Sequence, residues 1–447
     1  MAINVKSDLG SLEVVDATVH SKSPWLFVPT LSLSRGVAVG LTMGMSTALF
    51  KSLGMPNDFI GFLTLLMLPA SFQPLWAPII DSYWRKREWA LTGNLCLALA
   101  LAVLSLGLFA SSIPVHWLVL GFVVIALSHA VIDVSADAFF ICAVNRKEQS
   151  AFVGIKTAFM RLAGLSIAAV SFTAGTLGDK WGNLRQGWAV AVGCYAVCIG
   201  GLWLYNRYSY PYPEKDQPVR ETGKSIPWGE VWKSFMRIPR IWVVLAFLFV
   251  YRFGESLIFR MEGAFMLDSE EAGGLAIKLQ DGALLGPFIM ASTITGGILG
   301  GFAIKRFGAQ KVILPFVLCM TVPNLLYVVL AYNPMYDGLD VGGVVIPQLI
   351  VYGLIRCVET FGYGVGFTAY IFVMVALSKD KYRGSHYAMF SGLMVLGFVV
   401  PGSLSGVIQQ ATDWPTLFLY SFLLGLPGIV LAFFLPIKEI ELAQHEG

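Results

Sequence analysis

Apolar residues fill this chain in long unbroken runs, and polar residues collect between the runs. Twelve runs reach the roughly 20 residues that a helix needs to cross a bilayer. They lie at 25–50, 57–80, 89–110, 114–143, 150–176, 187–206, 240–266, 283–304, 311–331, 345–378, 386–408 and 415–436. Several exceed the minimum, which predicts tilt or protrusion. The pattern predicts an all-α polytopic membrane protein. A polar stretch at 207–239, carrying Pro211, Pro213, Pro218 and Pro227, divides the runs six and six and predicts a linker. A short surface helix is expected near Trp228–Lys233. The expected organisation is a tail at 1–24, a six-helix bundle at 25–206, the linker at 207–239, a second six-helix bundle at 240–436 and a tail at 437–447.

Composition agrees. The 447 residues are 56% hydrophobic and 13% charged, against about 25% charged in soluble domains, and mean hydropathy is +0.70. A net charge of +3 gives no basic surface for nucleic acid, so none is expected as a partner. The six cysteines (Cys96, Cys142, Cys194, Cys198, Cys319, Cys357) fall in apolar runs without metal-ligand spacing and read as small core residues. The first 24 residues are polar, with no basic n-region before a short apolar core, so a cleavable signal peptide is not expected.

Lys and Arg fix the orientation. With the N-terminus inside, the inner segments carry 21 basic residues and the outer loops four, namely Lys51, Lys180, Arg185 and Lys278. Both termini are therefore expected in the cytoplasm. An internal repeat supports the six-plus-six division. Arg146-Lys-Glu-Gln-Ser and its span to Gly164 align without gaps to Lys379-Asp-Lys-Tyr-Arg and its span to Gly397. Arg35-Gly36 in span 1 corresponds to Arg252-Phe253-Gly254 in span 7.

The chemistry lies in charged residues inside the runs. His129-Ala-Val-Ile-Asp133-Val-Ser-Ala-Asp137 sits deep in span 4, with Asp133 and Asp137 one turn apart on one face. A carboxylate at membrane depth costs roughly 2.5–3.5 kcal/mol on insertion scales, and like charges add to it unless a proton or cation intervenes. The pair predicts a proton site, a substrate contact or both, or else a structural ion pair with a basic residue on another helix. Span 7 puts Arg252, Glu255, Phe259 and Glu262 on one face, and span 10 does the same with Tyr352, Arg356, Glu359, Tyr363 and Tyr370. Arg252–Glu255 and Arg356–Glu359 are spaced for pairing within one helix. Arg35, Gln73 and Arg161 complete the polar set. The expected proton-coupling residues are Asp133, Asp137, Glu255 and Glu359. Substrate contacts are expected from Arg35, Gln73, Arg161, Arg252, Arg356, Tyr363 and Tyr370, the tyrosines suiting a sugar or ring-bearing ligand. Lys156 near one end of span 5 is expected to snorkel, and Arg260 and Glu262 to be solvated near the outer end of span 7.

The glycine-rich Gly362-Tyr-Gly364-Val-Gly366 lies inside a span with no strand before it, so it is no nucleotide cradle. It predicts close helix approach or a flexible kink. No phosphate-binding loop, zinc signature or nucleophile elbow is present, so neither an ATP motor, a metal or other cofactor, nor an enzyme is expected.

Six plus six spans, the central basic loop and two loop motifs resemble the major facilitator superfamily. Those motifs are Asp81-Ser-Tyr-Trp-Arg85-Lys-Arg87, which lacks the usual glycines, and Gly301-Phe-Ala-Ile-Lys305-Arg306-Phe-Gly308. The resemblance implies that Asp81, Arg85, Arg87 and Arg306 gate the cytoplasmic side. Trp76-Ala-Pro-Ile-Ile-Asp81, Asp133-Val-Ser-Ala-Asp137-Ala-Phe139, Arg252-Phe-Gly-Glu255 and Glu359-Thr-Phe-Gly-Tyr-Gly-Val-Gly366 are similar to the AmpG-type muropeptide permease branch. It implies proton-driven import of N-acetylglucosaminyl-anhydro-N-acetylmuramyl sugars, with or without peptide, across a bacterial inner membrane by a monomer. Asp133 and Asp137 would be the proton-linked pair. The chain has fewer spans than the long forms of that branch. Siderophore importers and acetyl-coenzyme A carriers share it, which leaves the solute open. An importer of another amphiphilic solute or glycan, such as a siderophore or oligosaccharide, an efflux carrier and a non-transporting membrane sensor are the remaining readings.

Overall fold

The computed structural model describes residues 22–110, 114–214, 216–218, 228–378 and 383–437. Eleven helical stretches among them are long and apolar enough to cross a membrane. The expected second span is the exception, because it is divided into Asn57–Phe62, the 3₁₀ turn Leu63–Met67, Leu68–Ser71 and Gln73–Tyr83. Proline explains the division, since Pro69 and Pro74 each lack the N–H that an unbroken helix would use. The Pro69 carbonyl accepts from Trp76 Nε1 at 3.0 Å instead.

Local departures fall in three other spans. Span 1 (Pro24–Ser52) contains a π-helical turn at Leu41–Met45. Span 7 is not the continuous helix its periodicity predicts: Ile241–Val250 and Phe253–Leu267 meet at Arg252, whose φ of −94° and ψ of 5° leave the helical well. Span 10 starts at Gln348 rather than 345, because Val344–Ile346 pairs with Leu339–Val341 as an antiparallel hairpin and Pro347 precedes the helix. The linker carries the expected short helix, at Trp228–Phe235.

Equivalent helices pack alike in the two halves of the chain. Span 1 packs on span 5 (Arg146–Trp181) as span 7 packs on span 11 (Arg383–Ala411). The second span packs on span 4 (Val115–Ala143) as span 8 (Gly286–Phe307) packs on span 10. Span 3 (Lys86–Phe109) packs on span 6 (Leu184–Ser209) as span 9 (Ala309–Thr321 and Asn324–Tyr332) packs on span 12 (Trp414–Ala432).

Lipid-exposed apolar residues such as Leu75, Val103 and Val197 gain nothing by moving inward, so close packing and polar contacts hold the helices together. Two glycines allow close packing at the span 1–span 5 and span 7–span 11 contacts. A Cβ on Gly36 would overlap the Met160 carbonyl of span 5, and one on Gly397 would overlap the Phe249 carbonyl of span 7.

Overpacking a core typically costs about 1–3 kcal/mol. Gly36→Val is therefore expected to lower the melting temperature of the purified protein in detergent clearly below that of the wild type. Gly200→Val, where nothing lies near the position, should leave it unchanged in the same thermal-shift measurement.

Candidate functional site

Two charged networks lie at membrane depth, one in each half. In the first, Arg35 on span 1 holds both span-4 carboxylates: its Nε donates to Asp133 and its Nη1 donates to Asp137 at 2.8 Å. The second span delivers Gln73, whose amide donates to the other oxygen of Asp133. This side chain follows directly after the break at Phe72, so the kink aims it into the network. Span 5 delivers Lys156, which forms an ion pair with Asp137 and lies 5.1 Å from the centre of the Phe140 ring. Lys156 therefore does not snorkel away. Two carboxylates meet two cations, and Asp137 keeps 44% of its side-chain surface open.

The second network lies on spans 7, 9 and 10. Arg252 grips Glu255 with two bonds, of 2.7 and 3.0 Å, and its guanidinium lies 4.5 Å from the centre of the Phe398 ring. Arg356 donates to Glu359 at 3.0 Å and pairs with Glu262 at 2.9 Å. The Tyr352 hydroxyl donates to Glu262 at 2.8 Å, and the Tyr327 hydroxyl lies 3.4 Å from Arg356. Glu262 is thus tied into the interior rather than solvated.

The halves approach each other through weaker contacts. Tyr387 on span 11 lies within electrostatic reach of Arg35, Asp133 and Asp137. Arg161 on span 5 lies within reach of Tyr363 on span 10. Arg161 makes no hydrogen bond or ion pair among the described residues, and its side chain is only half-buried.

Some expected site residues go elsewhere. Tyr370 is fully buried; its hydroxyl donates to the Leu248 carbonyl and its ring stacks on Tyr251 at 5.3 Å, so it serves the core of the second half. Arg87 does not reach the opposite half. It binds Glu88 at 2.6 Å and the Arg207 carbonyl at 2.7 Å, and it lies over the Tyr212 ring at 3.9 Å. The linker explains this arrangement, because Asp216 accepts the Lys86 and Arg87 backbone N–H groups at 2.7 and 3.0 Å and caps span 3. Arg85 borders a pocket of about 450 Å³ with Trp84, Glu88 and Gln217. Arg306 is exposed, 5.6 Å from the centre of the Phe307 ring. Among the described residues, none of these three arginines bonds to the opposite half. The side chain of Asp81 lies outside the described residues.

The other end of the bundle is fastened across the halves. Arg260 on span 7, only 1% exposed, has no carboxylate partner among the described residues. It donates to the Thr64 hydroxyl at 2.9 Å, the Thr47 hydroxyl at 2.6 Å and the Met43 carbonyl at 3.2 Å. That carbonyl belongs to the π-helical turn of span 1, where the altered bonding leaves acceptors turned out. Lys51 pairs with Asp268, and Asn57 donates to Asp268 at 2.9 Å and to Gln409 at 2.7 Å. Asp179 binds Lys278 at 2.8 Å and Gln280 at 2.7 Å, and the hydrogen bond and charge of Asp179 hold the Lys278 ammonium above its ordinary pKa. Nothing in the spacing around Arg260 announced this role, because its partners are hydroxyls and a carbonyl on distant segments.

A sequence model described as the Major Facilitator Superfamily matches residues 30–355. The anhydromuropeptide permease of Escherichia coli strain K12 is 23% identical over 408 residues, covering 90% of this chain and 77% of that protein. A Rickettsia bellii protein named putative transporter AmpG 1 is 23% identical over 393 residues, covering 83% and 88%. Among solved structures, a D-xylose-proton symporter superposes with a TM-score of 0.68 at 10% identity, covering 92% of this chain and 98% of that one. The inward-open xylose transporter XylE of E. coli gives 0.66 at 12% identity, covering 93% and 98%. Those structural likenesses concern the fold.

Breaking a buried ion pair by removing one partner costs about 3–5 kcal/mol. Asp268→Ala should therefore loosen the fastened end. With the six native cysteines replaced and Thr47→Cys as reporter, a water-soluble maleimide should label the purified Asp268→Ala protein at least several-fold faster than its parent.

Proposed function

The chain belongs to the major facilitator superfamily, and on that premise we propose that it imports anhydromuropeptides with protons across a bacterial inner membrane by alternating access. It is a multi-pass membrane transporter of small solutes. The relatives named anhydromuropeptide permease and AmpG support the solute class. The excess of Lys and Arg in alternate loops supports cytoplasmic termini. The fastened end then faces the periplasm. The bundles 25–206 and 240–436 rock about the charged networks as a monomer.

One observation carries the reading. Arg35 and Lys156 are matched by Asp133 and Asp137, while Arg161 meets no carboxylate among the described residues. A cation without an anion at membrane depth is costly, and a solute carboxylate relieves that cost. The lactyl or peptide carboxylate of a muropeptide supplies one, with Tyr363 within reach of Arg161 for the sugar rings. Arg252 and Arg356, each already paired, hold the second half in register and line the route.

Proton coupling follows from the same bookkeeping of charge. Asp133, Asp137, Glu255 and Glu359 are the intramembrane acids that carry it, with Asp137 the most open of the first pair. Protonating Asp137 leaves Arg35 and Lys156 with one carboxylate between them. The chamber then has an excess positive charge, which the solute anion neutralises. Proton and anion stabilise each other's binding, so they move in the same direction.

Proteoliposomes with an imposed inward proton gradient should accumulate N-acetylglucosaminyl-anhydro-N-acetylmuramic acid. Asp133→Asn and Asp137→Asn are each expected to abolish that uptake while the protein still inserts. A charge-assisted hydrogen bond contributes about 1.5–3 kcal/mol, so Arg161→Gln should raise KM roughly ten- to hundred-fold with a smaller change in the maximal rate. Normal transport by both aspartate variants would remove their proton role, and an unchanged KM in Arg161→Gln would remove the solute contact.

A further inference from the structure

Charge is out of balance in one part of the second network, around Arg356. Arg356 is gripped by two carboxylates, Glu262 at 2.9 Å on one terminal nitrogen and Glu359 at 3.0 Å on the other. Arg356, Glu262 and Glu359 keep only 11%, 16% and 9% of their side-chain surface exposed. Two carboxylates against one guanidinium leave one negative charge. Among the described residues no second cation meets them: Arg252 is spent on Glu255, and Arg260 turns to spans 1 and 2.

The remaining groups that face the cluster are neutral or acidic. Among the described residues, Tyr352, Cys357 and Tyr363 come from span 10, Tyr327 from span 9 and Glu255 from span 7. The Tyr352 hydroxyl satisfies the second oxygen of Glu262 at 2.8 Å without adding charge. The first network differs, because there two carboxylates face two cations.

We propose that Glu262 and Glu359 form a two-carboxylate, one-proton site, a second proton station in the half of the chain opposite Asp133 and Asp137. When like charges share a desolvated site, one of them holds a proton and the pair titrates as a unit. Arg356 bonds to both, so the proton resides on either carboxyl without moving the guanidinium. Span 7 carries Glu262 two residues from Arg260, which fastens the two halves. Loss of that fastening shifts Glu262 against Arg356 on span 10, and the proton is then gained or lost as the bundles rock. This rests on the carrier reading for its role in transport, but the shared proton itself does not.

Infrared spectroscopy of the purified wild-type protein at neutral pH should show a protonated carboxyl band at membrane depth. Glu262→Gln and Glu359→Gln, nearly isosteric changes, each supply the neutrality that the proton supplied. Each is therefore expected to lose the band, whereas Asp133→Asn and Asp137→Asn keep it. A band that survives in both glutamine variants, or is missing from the wild type, overturns the proposal. Should either variant fail to fold, titrating the wild-type band decides the matter: persistence through neutral pH supports the site, and disappearance at ordinary carboxylate pH refutes it. In proteoliposomes, Glu262→Gln should also cut pH-gradient-driven accumulation of the anhydro-disaccharide at least tenfold. Wild-type uptake with undiminished Glu262→Gln accumulation would refute the station's role. Absence of wild-type uptake would instead refute the carrier reading, leaving the infrared result to stand or fall alone.

Discussion

An ionised side chain inside a bilayer must find an opposite charge, a proton or water, and this requirement organises the protein. Apolar packing cannot choose between helix arrangements in lipid, because the acyl chains are as apolar as leucine. Polar contacts do choose. Arg35 ties span 1 to span 4, Gln73 brings in the second span, and Lys156 brings in span 5. Arg356 and its carboxylates join span 10 to span 7. The glycines that let Gly36 and Gly397 approach neighbouring carbonyls set how near those groups come.

The two ends of the bundle are held by different physics. Toward Lys51 and Asp268, hydroxyls, amides and two ion pairs cross between the halves, with Arg260 sealed among neutral acceptors. Each bond there is modest in net worth, roughly 0.5–1.5 kcal/mol between neutral groups and about 1.5–3 kcal/mol where one is charged, so a set of them can be broken and remade. At the opposite end, the arginines expected to clamp the halves are occupied locally or stand at the surface. Arg87 in particular serves the linker, whose Asp216 fastens back onto the start of span 3. This asymmetry suits a carrier caught with one side closed.

Much of this was legible in the chain. Long apolar runs gave twelve spans, and intramembrane Asp133, Asp137, Arg35, Arg252–Glu255 and Arg356–Glu359 stood out because lipid would not tolerate them unpaired. The breaks at Arg252 and in the second span were not legible as geometry, since hydropathy is blind to where the helical well is left. Residues near span ends were misjudged for one reason. Distance along a helix says how near water a side chain starts, not where it points. Lys156 and Glu262 turn inward, and Arg260 turns toward a neighbouring helix. Tyr370 shares a periodic face with Arg356 and Glu359, yet further along that face the neighbour is the core of spans 7 and 10. The resemblance to loop motifs marked Arg87 but carried no information on the linker that captures it.

In the proposed cycle proton and solute anion enter together because each offsets the other's charge. The most direct measurement adds N-acetylglucosaminyl-anhydro-N-acetylmuramic acid to lightly buffered proteoliposomes with no gradient imposed, and follows external pH and internal sugar at once. The medium should turn alkaline in step with sugar entry, and the methyl ester of the same disaccharide should neither enter nor move protons. Sugar entry without any pH change, or equal entry of the ester, would contradict the account.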